Sequence, residues 1–265
     1  MEQRKEGRRM ARLTGLPVIG MALAALALWG APRANAQEAV PPPQQVWSFD
    51  GPFGTFDMAA AQRGFQVYSQ VCSNCHSMDQ LHYRDLSGIG LSQAQIKAIA
   101  AAVQVPSGLD DQGNPKLGPA TPASMFRAPF ANPVAAAAAL GIAPPDLSVI
   151  VNAREGHANY VYGILTGFRD PPPGFKLMTG LYYNEYFPGH QIRMPPPLHG
   201  DDVTYADGTP ARLGQEAHDV VTFLTWASNP EMVERKQIGV RVVLFLALMS
   251  GLTYVVKRRL WANVH

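Results

Sequence analysis

The sequence predicts a mainly α fold: a helical domain with long wrapping loops, followed by one C-terminal transmembrane helix. Three observations predict it. The run Cys72-Ser73-Asn74-Cys75-His76 closes one apolar helix pattern. Ile238–Val256 is a 19-residue segment broken only by Arg241. Gly167 to Thr209 is rich in aromatics, glycine and proline, without sustained periodicity.

The first observation sets the chemistry. C-x-x-C-H is the attachment signature of a c-type haem. The two thiols add to the vinyl groups as thioethers, and His76 lies under the porphyrin as the proximal iron ligand. A zinc site needs two further ligands at motif spacing, but Cys72 and Cys75 are the only cysteines. A thioredoxin-like pair needs a βαβ setting, and none is visible. One haem c, held through two thioethers, is therefore expected, and the domain reads as a c-type cytochrome with haem-wrapping loops. The haem also explains the stretch Gly167–Thr209. So long a loop is unusual in a compact domain, but a large apolar cofactor gives it something to wrap.

The second observation places the chain. At ~1.5 Å per residue, Ile238–Val256 spans about 28 Å, close to the hydrocarbon thickness of a bilayer. Lys257-Arg258-Arg259 follows, which puts the tail 257–265 in the cytoplasm by the positive-inside rule. Residues 1–36 read as a cleaved signal peptide: five cations by Arg12, an apolar run Leu13–Ala31, then Ala34-Asn35-Ala36. The expected organisation is thus leader 1–36, periplasmic haem c domain 37–230, juxtamembrane 231–237, membrane helix 238–256 and tail 257–265. Residues 37–230 carry 10 basic and 16 acidic side chains, a net of −6. That balance disfavours nucleic acid and suits a basic protein partner.

Helices are expected over Asp57–Val71, Leu91–Val103 (opened by Ser92), Pro133–Leu140, Pro145–Ala153, His157–Thr166 and Gly214–Ala227. Asp110–Arg127 reads as loop. Gly64 implies a close helix crossing, with Phe223 or Trp226 against it. A low-spin carrier needs a second axial ligand. Met194 is favoured because Pro195-Pro196-Pro197 stiffens the strand behind it, while Met178, His190 and His199 remain alternatives. Arg154 is either a propionate partner or a solvated surface residue.

An ordered set of motifs is similar to the cytochrome c1 family, the haem-c subunits of quinol–cytochrome c oxidoreductase (bc1) complexes. It comprises Val71–Met78, Tyr83-Arg84-Asp85-Leu86, Pro144–Ser148, Tyr160-Val161, Leu165-Thr166-Gly167, Tyr186–Gly189 leading into Met194-Pro195-Pro196, Asp207–Ala211 and Phe223-Leu224 with Trp226-Ala227. The resemblance implies that His76 and Met194 are the axial ligands and that Arg154 and Tyr160 lie at the propionates. It implies electron transfer from a Rieske iron–sulfur protein to a cytochrome c acceptor, a cytochrome b subunit and membrane lipid around the anchor, and a dimeric complex in a bacterial inner membrane. The chain would be a redox subunit of that enzyme; its status as an enzyme on its own stays open. One departure is the absence of the extra cysteine pair found in some bacterial relatives. A free-standing membrane-anchored shuttle is the main rival, and a ligand-binding haem sensor is another.

Overall fold

The computed structural model describes residues 40–263; the expected leader lies outside them. Six α-helices occur among the described residues: α1 Met58–Gln70, α2 Gln93–Ala101, α3 Pro133–Leu140, α4 His157–Thr166, α5 Leu213–Ser228 and α6 Met232–Leu260. The fold is mainly α, as expected. Two small antiparallel pairs join them: β1 Gln104–Leu109 with β2 Pro115–Pro119, and β3 Tyr182–Tyr183 with β4 Gln191–Ile192.

The core is the crossing of α1 and α5. Asp57 opens α1 by accepting from the backbone N–H of Ala60 at 3.1 Å. The helix presents Ala61, Phe65 and Tyr68 inward. Gly64 sits where the two helices touch. A Cβ there would lie 2.0 Å from the carbonyl oxygen of Asp219 and 2.8 Å from the Cβ of Phe223, so only glycine permits this approach. Phe223 meets Gly64 as expected. Trp226 does not; its indole lies against Gly88, where a Cβ would approach within 2.8 Å.

A charge crosses the same interface. Arg63 grips the fully buried carboxylate of Asp219 with Nε at 2.8 Å and Nη2 at 3.0 Å, and reaches Asp207 at 2.9 Å. A buried carboxylate needs such a partner. The N-terminal arm lies over the other side of α5. Trp47 stacks on His218 with centroids 4.6 Å apart, and its Nε1 donates to Asn159 at 2.9 Å.

Two expectations need correction. Residues 145–153 form turns, not a helix. Asp146 does not cap a helix there. Its carboxylate accepts from Ser77 Oγ at 2.7 Å, Asp79 N at 2.8 Å and Ser148 N at 2.8 Å, and the N–H of Leu147 donates to Ser77 O at 2.9 Å. Those bonds tie the segment to residues 77–79 and leave nothing to start a helix. The expected loop Asp110–Arg127 contains β2. Its hairpin turn is set by Asp110, which accepts from the N–H groups of Gln112 and Asn114.

Candidate haem site

Helix α1 delivers the motif. One 3₁₀ turn, Cys72–Asn74, follows it directly. The N–H groups of Cys75 and His76 both donate to Cys72 O, at 3.1 and 3.0 Å. The two intervening side chains are spent on the helix end: Ser73 Oγ donates to Ser69 O at 2.8 Å, and Asn74 Nδ2 to Gln70 O at 3.0 Å. Both thiols are left unbridged. Cys75 is exposed, whereas Cys72 packs against the core and burial pushes its thiol up to about 12.

His76 is braced from far along the chain. Its Nδ1 lies 2.8 Å from the carbonyl oxygen of Pro145, 69 residues away. A carbonyl only accepts, so Nδ1 carries the proton and Nε2 keeps a bare lone pair. Burial lowers the basicity of the ring, and the Pro145 bond only partly opposes it. Pro145 is held by its neighbour. Burial alone would raise the Asp146 carboxyl, but hydrogen bonds from Ser148, Ser77 and Asp79 outweigh it and hold the group below the usual carboxylate range. Gln80 N donates to Ser148 Oγ at 3.0 Å, completing the lacing.

The other candidates separate by surroundings. Met78 is fully buried in the core, whereas Met58, Met125 and Met178 are exposed. His218 is stacked on Trp47, and His199 is exposed beside Asp202. His190 is buried, stacked on Tyr183 at 5.5 Å, with Nδ1 3.3 Å from Asn184 O. Met194 is half-buried, two residues after β4. The Arg193 guanidinium lies against Gly141, on the segment that runs to Pro145. Arg154 lies just before α4 and Tyr160 in its first turn. Burial raises the Tyr160 phenol and the Arg154 charge opposes it. Gly156, at φ 82°, makes the turn between them.

One residue that matters carried no signal in the sequence. Asn184 is fully buried. Its Nδ2 donates to Ile164 O at 2.8 Å, and its N–H donates to His190 O at 3.0 Å. It pins the long loop to α4 ahead of Met194. A single polar residue between tyrosines and an acid has no periodicity to reveal it.

The donor set fits a haem: two free thiols at C-x-x-C spacing and a neutral imidazole with Nε2 free, on a helical scaffold. That arrangement defines a haem-protein class. The chain belongs to the cytochrome c1 family, whose model matches residues 47–264, and thereby to the haem-containing electron-transfer subunits of the bc1 complex. It is 43% identical over 256 residues to cytochrome c1 of Rhodospirillum rubrum, covering 90% of this chain and 94% of that one. It is 42% identical over 229 residues to a mitochondrial cytochrome c1 heme protein of Arabidopsis thaliana, covering 86% and 75%. Cytochrome b/c1 of Bradyrhizobium diazoefficiens is 41% identical over 269 residues, which cover 92% of this chain and 39% of that protein.

Proposed function

We propose that this chain relays single electrons from a Rieske iron–sulfur protein to a cytochrome c acceptor within a bacterial quinol–cytochrome c oxidoreductase. When bound, haem c supplies the reversible one-electron change. Cys72 and Cys75 would attach it through two thioethers, and His76 and Met194 would ligate its iron. Arg154 and Tyr160, at the two sides of the Gly156 turn, would meet its propionates with a charge and a phenol. The observation that carries this reading is the Nδ1 bond from His76 to Pro145. It fixes the ring's tautomer and direction, as metal-bound histidines require.

Residues 37–230 face the periplasm in this reading, 238–256 cross the membrane once and 257–265 end in the cytoplasm. The 29-residue α6 is long and apolar enough for that span. The relative named cytochrome b/c1 carries both names on one chain, which supports cytochrome b as a partner; in this reading it lies beside the anchor, in a dimeric complex. The net charge of −6 on residues 37–230 would steer a basic acceptor by weak, salt-screened contacts.

An optical redox titration of the detergent-solubilised protein tests the ligands. Met194→Leu should lower the reduction potential and admit carbon monoxide to the reduced protein. An unchanged potential with no gas binding would remove Met194. Co-purification of a b-type haem subunit and an iron–sulfur protein separates the complex subunit from a free-standing anchored shuttle.

A further inference from the structure

Helix α6 is gripped at its near end. The Lys236 ammonium donates to the carbonyls of Phe49 and Gly54, which draws the turn Pro52–Thr55 against the first two turns of the helix. Between turn and helix lies a recess of about 330 Å³, lined by the apolar Phe53, Val233 and Val240 and by the polar Thr55, Gln237 and Arg241. That is the lower end of the range of small-ligand sites.

Its position decides its chemistry. Arg241 stands three residues inside the apolar run that begins at Ile238. A cation at that depth needs an anion or a route to water. Among the described residues, none forms a hydrogen bond or an ion pair with Arg241. Lys236 is occupied by backbone carbonyls, so Arg241 is the charge left for an incoming group. Phe53 on the rim is 80% exposed, an aromatic at the level where headgroups meet hydrocarbon.

We propose that this recess binds one anionic phospholipid in the leaflet on the haem-domain side. Its phosphate pairs with Arg241 beside Gln237, with Phe53 at the headgroup level, and its acyl chain runs deeper along α6 over the exposed Leu244 and Leu248. A cation above an apolar wall is complementary to an amphiphile with a negative head. A polypeptide would have to carry a carboxylate to the same depth. The inference rests on reading α6 as a membrane span.

The test uses the complete detergent-solubilised assembly, reconstituted in phosphatidylcholine nanodiscs doped with photoactivatable phosphatidylglycerol. Labelling should fall in the peptides of Pro52–Thr55 and the first turns of α6. It should drop about tenfold in Arg241→Gln, as for the loss of one charge-assisted hydrogen bond. It should persist in Arg241→Lys and in excess inorganic phosphate. Haem absorbance verifies that each variant assembles. Equal labelling of Arg241→Gln, equal labelling by photoactivatable phosphatidylcholine, or displacement by inorganic phosphate would overturn the site. So would a photo-crosslinker at position 53 that captures a protein chain instead of lipid. Release of the chain from membranes by alkaline carbonate would overturn the span itself, and the site with it.

Discussion

Helix α5 buries 11 of its residues, whereas α6, which begins four residues after it ends, buries none. Both are rich in valine, leucine and phenylalanine. In α5 those side chains alternate with polar ones that mostly find partners: Asp219 with Arg63, Glu216 Oε1 with the N–H groups of Asp202 and Val203, and Thr225 with Val221 O, while Glu216 Oε2 is buried without one. The helix is surrounded by its own domain. In α6 the apolar residues run round the whole circumference, and the protein supplies nothing to cover them. Apolar content therefore does not distinguish a core helix from a membrane helix. What distinguishes them is whether the buried polar groups find partners along the chain.

The largest effect that tests this contrast is Gly64→Leu. Its side chain has no space between α1 and the backbone of α5. The crossing should fail, with loss of the folded, haem-bearing domain; normal yield and haem absorbance would refute the close approach. Next, Trp226→Ala should destabilise the domain by about 4 kcal/mol in chemical denaturation, because it empties a fully enclosed site. Leu244→Ala in α6, 65% exposed, should change the same curve by less than about 0.5 kcal/mol. Equal effects would erase the distinction. Asp219→Asn leaves the Arg63 guanidinium without its buried partner and should cost about 3 kcal/mol, measured in the same way.

The smallest effect is a pH dependence. Burial first, and the nearby Asp202 second, raise Glu216 from an ordinary 4.5 to about 7. The folded state thus holds this proton more tightly than the unfolded chain. Its contribution to stability is complete below about pH 4.5 and is lost as pH rises through about 7. Asp202 is shifted the other way and acts on the acid side of that window. Glu216→Gln should flatten the stability profile between those limits. A wild-type profile already flat there would show that Glu216 stays ionised.

Much of this contrast was legible in the residues. Periodicity and caps marked α1, α2, α4 and α5, since Asp57 and Ser92 are local signals, and Gly64 pointed to the crossing. The site was legible at one end only. His76 is fixed by spacing, but its brace at Pro145 is a contact across 69 residues, and no local pattern encodes it. Asp146 looked like the start of a helix because its bonds to Ser77 and Asp79 are tertiary. The hairpin β1–β2 was hidden for a different reason: Pro106, Pro115 and Pro119 break the alternation that marks strands, and the Asp110 turn holds the pair. Trp226 went to Gly88 because the 3₁₀ segment Tyr83–Ile89 had no periodic signature.

Consider finally the Lys236 ammonium on the carbonyls of Phe49 and Gly54. In mechanical terms it replaces a ball joint with a bracket. A domain on a loose tether would sample every tilt above the membrane and spend most encounters facing the wrong way. Here the first turns of the anchor are clamped to the N-terminal arm, and that arm is stacked on α5 through Trp47 and His218. The domain therefore presents a narrow range of orientations, and the search by any partner confined to the same membrane shrinks accordingly.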